Sequence, residues 1–192
     1  MNVYPQWAHP SVQITPEQIQ AIHRAFATSL PDFCHGALRV KPREGGERQR
    51  CVMRPAPRWL HDQLEAEVKE RGYVRALLPK ARQLGVSTYT AARYYHRVTH
   101  SFGASCYILA HKSEATNHLF NIVKGFHGDV QSLARAFPQF PAPDVSASNA
   151  RELVFPELKS NYKVGTAEGK DVGVGSTNQL LHLSEIALYQ DT

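Results

Sequence analysis

No apolar run in this 192-residue chain approaches the roughly 20 residues that a membrane-crossing helix needs, so a soluble protein with no membrane partner is expected. Cysteine is scarce: Cys34, Cys51 and Cys106 are odd in number, far apart and outside any Cys-x-x-Cys spacing. Neither a disulfide framework nor a zinc site is indicated, and buried reduced thiols are expected. The opening residues, MNVYPQWAHP, have no basic stretch followed by an apolar one, so nothing marks the chain for secretion and a cytoplasmic location is expected. There are ten histidines but no His-Glu-x-x-His arrangement, and metal–histidine chemistry is not expected. What remains is the composition of a globular chain, 42% hydrophobic and 20% charged, with a net charge of +5 that permits a polyanionic partner without requiring one.

Local signals divide the chain at about residue 50. Residues 1–14 have no periodicity. Thr15, Pro16 and Gln18 form a helix start with a capping box, and Ile19, Ile22 and Phe26 follow at helical spacing. That helix is predicted to end before Pro31. KPREGGERQR, residues 41–50, is charged and holds a glycine pair, so it reads as an exposed loop or hairpin tip. Residues 59–70 return to helical character, with Trp59, Leu60, Leu64 and Val68 near one face and Trp59 assigned to the core; Gly72 ends the helix. YVRALL (73–78) and ASCYILA (104–110) are predicted as buried strands. Helices are predicted over 87–99 and from a Ser113 cap through Ala115, Leu119, Ile122 and Phe126. Residues 128–150, with Pro138, Pro141 and Pro143, read as a long surface connection. Residues 152–155 and 162–166 read as a strand pair, and 179–183 as a third apolar strand ending at Ser184 and Glu185.

Between the first predicted strand and its helix lies KARQLGVST, residues 80–88. A phosphate loop needs that position, where backbone N–H groups wrap an anion and the helix N-terminus adds its dipole. Against the pattern Gly-x-x-x-x-Gly-Lys-Ser/Thr, Gly85 fills the second glycine and Ser87 the hydroxyl that faces Mg²⁺. Lys80 stands in place of the first glycine and Val86 in place of the lysine. Taken alone, the fragment reads more simply as a plain strand-to-helix turn. Lys80 and Arg82 supply from the loop's start the charge that Val86 lacks.

KARQLGVST resembles the deviant Walker A motif of phage large terminase subunits, in which the essential lysine moves to the loop's start. The resemblance runs over residues 71–188, through the ILAH strand to LLHLSE. It implies a three-layer α/β P-loop ATPase core over 51–192, with a mainly parallel sheet, behind an N-terminal arm and helical extension over 1–50. It also implies ATP and Mg²⁺, a nucleotide loop of Lys80, Ala81, Arg82, Gln83, Leu84, Gly85, Val86, Ser87 and Thr88, and Ser87 on the metal. Lys80, Arg82 and Glu185 are the implied catalytic residues, Glu185 acting on the attacking water, with Ser184 where the family carries an aspartate. Implied partners are double-stranded DNA, a small terminase subunit, the portal and other copies in a ring. Pro57, in RPAPRWLH, stands where a base-reading glutamine is expected. Arg93 and Arg97 are candidate DNA contacts, with a solvated helix face as the bland alternative. The resemblance stops before the coupling motif and nuclease domain that the family carries. Two other readings fit the same residues: a binding or assembly module that keeps the fold without turnover, and a helicase-like translocase.

Overall fold

The computed structural model describes residues 13–42, 44–81, 83–148, 151–167 and 177–189. The Thr15 hydroxyl accepts the Gln18 backbone N–H (3.3 Å) and the Gln18 side chain accepts that of Thr15 (2.9 Å), opening α1, Pro16–Thr28. Ser29 ends α1 and caps α2, Leu30–Ala37, whose first turn holds Pro31. A proline there forfeits no helical hydrogen bond, so Pro31 starts a second helix as well as following the first. A short antiparallel pair follows, β1 (Arg39–Val40) with β2 (Gln49–Arg50), and the charged residues between them form its tip.

α3, Pro55–Arg71, ends at Gly72, whose positive φ of 78° suits glycine. It buries Pro57, Leu60 and His61, and Trp59 is 64% exposed. The expectation of a core Trp59 is corrected: at about 100° per residue, Trp59 points away from the Leu60 stripe. YVRALL forms no strand, and Tyr73, Leu77 and Leu78 are exposed. An apolar run does not supply its own hydrogen-bonding neighbour, and none among the described residues flanks it.

α4 (Val86–His100), β3 (Ser105–Ala110) and α5 (Ser113–Ala136) follow. The predicted surface connection over 128–150 is corrected at its start, because α5 continues to Ala136 with Phe126, Val130 and Leu133 buried at helical spacing. Ser113 is the first helical residue; Lys112 occupies the cap position and makes no side-chain cap. β4 (Ala147–Ser148), β5 (Glu152–Phe155), β6 (Ser160–Thr166) and β7 (Leu180–Ser184) complete a sheet in the order β4-β5-β6-β3-β7.

The sheet is mixed. β3 runs parallel to both β6 and β7, whereas β4–β5 and β5–β6 are antiparallel. The expected mainly parallel sheet is therefore half right, since the tight turn at 156–159 allows only an antiparallel return. Leu153, Phe155, Tyr162, Val164, Cys106, Ile108 and Ala110 form the buried face beneath α4 and α5. Tyr107, Leu109, Leu181 and Leu183 alternate onto the other face, which carries no helix among the described residues. The described residues form no third layer there. On that face Tyr107 lies over Gly165, where a β-carbon would stand 2.0 Å from the Tyr107 hydroxyl.

Ile19, Phe26 and Phe33 of α1 and α2 belong to the same buried cluster as Tyr95, Phe126 and Phe155. Each such aromatic contributes about 1.5–3 kcal/mol by leaving water. Cys34, Cys51 and Cys106 are free thiols and buried, as expected. No helix among the described residues is long and apolar enough to cross a membrane.

Candidate functional site

α4 enters β3 through a short turn at residues 101–104, so helix and strand run in opposite directions. Fifteen helical residues span about 22 Å and six strand residues about 20 Å. The α4 N-terminus thus lies over the carboxyl end of β3. Gly85 precedes it at φ 80°, Gln83 also has a positive φ of 66°, and no side chain caps the helix. The first-turn N–H groups have no side-chain acceptor and are disposed to meet an anion.

Within this turn Lys80, Ala81, Gln83 and Leu84 are exposed, Val86 is buried, and Ser87 and Thr88 are half-buried. Arg82 lies outside the described residues. Lys80 stands close enough to β7 for its charge to act on His182, whose pKa is pushed down to about 4 by burial first and Lys80 second. His182 Nδ1 is buried without a hydrogen bond among the described residues, and its ring meets Tyr94 edge-on at 6.4 Å. The Tyr94 hydroxyl donates to the Leu181 carbonyl (2.8 Å), and burial raises its pKa to about 12.

Glu185 follows β7 in the left-handed region, φ 57° and ψ 46°. That conformation is uncommon for a residue with a β-carbon. The parallel register pairs Ala110 with Ser184, so the next residues, His111 and Glu185, emerge side by side. His111 Nδ1 stands 3.2 Å from Glu185 Oε2, off the line of a good hydrogen bond. His111 was not singled out from the sequence; the ILAH strand that ends at it was.

The segment before α3 is also at this site. Pro57 Cγ lies 3.5 Å from where a Gly85 β-carbon would stand, so RPAPRWLH does border the loop. α3 and α4 are joined by the Arg93–Glu65 ion pair, by Arg93 donating to the Tyr89 hydroxyl (3.2 Å) and by His61 Nδ1 near the same hydroxyl (3.3 Å). Arg93 is thereby occupied, whereas Arg97 is exposed and Tyr95 fully buried. His96 and His100 form a His-x-x-x-His spacing that the expectation against metal–histidine chemistry passed over; their rings stack at 4.5 Å, and the described residues contain no group of three metal-ligating side chains.

Lys80, Ser87 and Glu185 thus belong to one end of the sheet, but no hydrogen bond among the described residues joins Ser87 to Glu185. For Mg²⁺ the fit is partial: Ser87 Oγ makes no hydrogen bond among the described residues, and Ser184 offers a hydroxyl and no charge. Such an ion keeps most of its shell as water and phosphate oxygens. Compared with protein-family models and with curated proteins, the chain matches none.

Proposed function

We propose that this chain hydrolyses ATP as the motor subunit of a phage-type DNA-packaging terminase. One observation carries the reading: the Lys80-bearing turn and the Glu185 carboxylate lie at the carboxyl end of β3 and β7, where open α/β sheets take ligands. Lys80 neutralises the β- and γ-phosphates, with Arg82 beside it in sequence, and the amides following Gly85 donate to phosphate oxygens. Ser87 would hold Mg²⁺, which supplies further charge neutralisation when bound. Glu185 orients a water toward the γ-phosphorus and accepts its proton as the bond to the ADP oxygen breaks. His111 stands beside the Glu185 carboxylate at the strand end. Pro57 gives the nucleotide shape without a hydrogen bond, so base selectivity does not come from that position. Double-stranded DNA, a small subunit, the portal and a ring of copies are the partners that go with this reading.

Titration with labelled ATP tests it. Lys80→Ala is expected to bind roughly ten- to a hundredfold more weakly, the loss of a charge-assisted contact of about 1.5–3 kcal/mol. Glu185→Gln is expected to bind like the parent and release no phosphate. Equal ATP affinity in Lys80→Ala and the parent defeats the proposal. A second reading, an assembly module without turnover, is favoured by the neutral Ser184 and by a 73–80 segment that pairs with no strand among the described residues; it predicts ATP bound and phosphate never released, with or without DNA.

A further inference from the structure

The β1–β2 hairpin concentrates positive charge that the fold does not neutralise. Residues 39–50 carry five basic side chains against two acidic ones. Arg39 and Arg50 are direct cross-strand partners, so both project from the same face, an arrangement that like charges disfavour. Arg48 lies beside them but is spoken for. It forms a bidentate pair with Asp129 of α5 (2.8 and 2.9 Å) and donates to the Gly125 (3.1 Å) and Arg39 carbonyls. Asp129 is consumed in return, also accepting the Arg39 backbone N–H at 2.8 Å. Neither the Arg39 nor the Arg50 guanidinium has an ion pair among the described residues. Burial lowers the Arg39 pKa; the nearby Asp129 carboxylate opposes this, and the repulsion of Arg50 and Arg48 adds smaller lowerings.

These groups border a hollow of about 490 Å³, lined by the three arginines, Glu47 and the Gly45–Gly46 backbone. Among the described residues no atom lies within 4 Å of where a β-carbon on either glycine would stand, so none of them blocks approach to the backbone there. Four cations elsewhere are engaged in ion pairs, Arg93 with Glu65, Arg58 with Asp62, Arg71 with Glu67 and Lys163 with Glu152, whereas Lys80 and Arg97 stand exposed and singly outside the hairpin. The hairpin is also held firmly, by the Asp129 clamp and by Cys51 N–H donating to the Leu38 carbonyl (3.0 Å).

We infer that this hairpin is a phosphate-backbone contact for duplex DNA, with Arg39 and Arg50 as its cations and Arg48 as the strut that aims them. A shallow, open, polar hollow suits a phosphodiester chain passing across it more than a ligand enclosed within it. The choice of DNA as the polyanion rests on the motor reading; the cationic site does not. Contacts of this kind are indifferent to sequence and strongly dependent on salt.

The test is binding of a short fluorescent duplex by anisotropy across a salt titration, with labelled-ATP binding measured separately. Arg39→Gln/Arg50→Gln is expected to weaken duplex binding by on the order of tenfold and to reduce the salt slope by about 1.8. Arg39→Lys/Arg50→Lys keeps the charge and is expected to restore most of both, and ATP binding stays unchanged throughout. If the double glutamine variant melts early, Arg50→Gln alone is expected to take about 0.9 from the slope. An unchanged slope in a folded variant overturns the inference, as does a parent that binds no duplex. So does a variant that loses binding of pyrophosphate while holding the duplex as before. Failure of ATP binding with the DNA result intact overturns the motor reading and leaves the hairpin site standing.

Discussion

Pro57 Cγ stands 3.5 Å from the point that a β-carbon on Gly85 would occupy, so the first turn of α3 touches the turn that opens α4. That separation is ordinary van der Waals contact, and space alone does not forbid a side chain at residue 85. The backbone does: φ is 80° there, a region costing an L-residue about 1–2 kcal/mol. Gly85→Ala is therefore expected to lower stability by about that amount through strain, and to reduce nucleotide affinity as the turn relaxes. Gly128→Ala, an open position inside α5 without a positive φ, serves as control and should be neutral or stabilising. Equal melting temperatures for parent and Gly85→Ala would show that the turn tolerates a side chain.

Strong local chemistry was legible in the sequence. The Thr15 capping box, the Gly72 stop, the 105–110 strand and the β5–β6 pair all form as their residues dictate. The failures are non-local. YVRALL has strand composition, but a strand needs a partner and composition does not name one. Pro138, Pro141 and Pro143 suggest a loop from residue 128, but Val130 and Leu133 continue the apolar stripe and carry α5 on to Ala136. Of the candidate site, the motif singles out the loop residues and Glu185. It does not single out His111, because a lone histidine has no spacing signal and meets Glu185 only through the β3–β7 register.

Buried histidines set the acid limit of the fold. The pKa of His182 is lowered to about 4 by burial and then by Lys80, and that of His100 to about 4 by burial and then by His96 and His23, against a bond to the His96 carbonyl. Free in an unfolded chain, these rings take up protons from about pH 6.5 downward. Between pH 6.5 and 4 the unfolded state thus binds more protons, so stability rises with pH across that window and is lost as pH falls through it. Asp129 acts in the opposite sense, since burial raises its carboxyl to about 6 and the folded state holds that proton longer. Two rings against one carboxyl leave a net acid loss, on the order of 1–3 kcal/mol per ring. Urea titrations at intervals from pH 7 to 4 should find the midpoint falling. His182→Gln should flatten the fall, and Lys80→Ala should raise the His182 pKa as followed by NMR. A midpoint constant over the window contradicts the assignment.

β7 closes one side of the sheet, with no strand beyond it among the described residues. Its sequence, LLHLS, contains neither the charges nor the proline that blunt exposed edges. Leu181 and Leu183 are 55% and 40% exposed on the helix-free face, and Ile186 and Leu188 continue that apolar surface. Tyr94 already occupies the Leu181 carbonyl, which covers one acceptor and leaves the apolar surface open. A concentration-dependent association is expected in sedimentation velocity. Leu181→Lys with Leu183→Lys places two charges on that face without touching the buried one, so the variant should fold with the parent's circular dichroism. Each leucine that association removes from water contributes about 1.5–3 kcal/mol, less where burial is partial. The double substitution should therefore weaken self-association by at least about tenfold. A parent that sediments as a monomer at every concentration, or a lysine variant that associates equally well, assigns no sticking role to this edge.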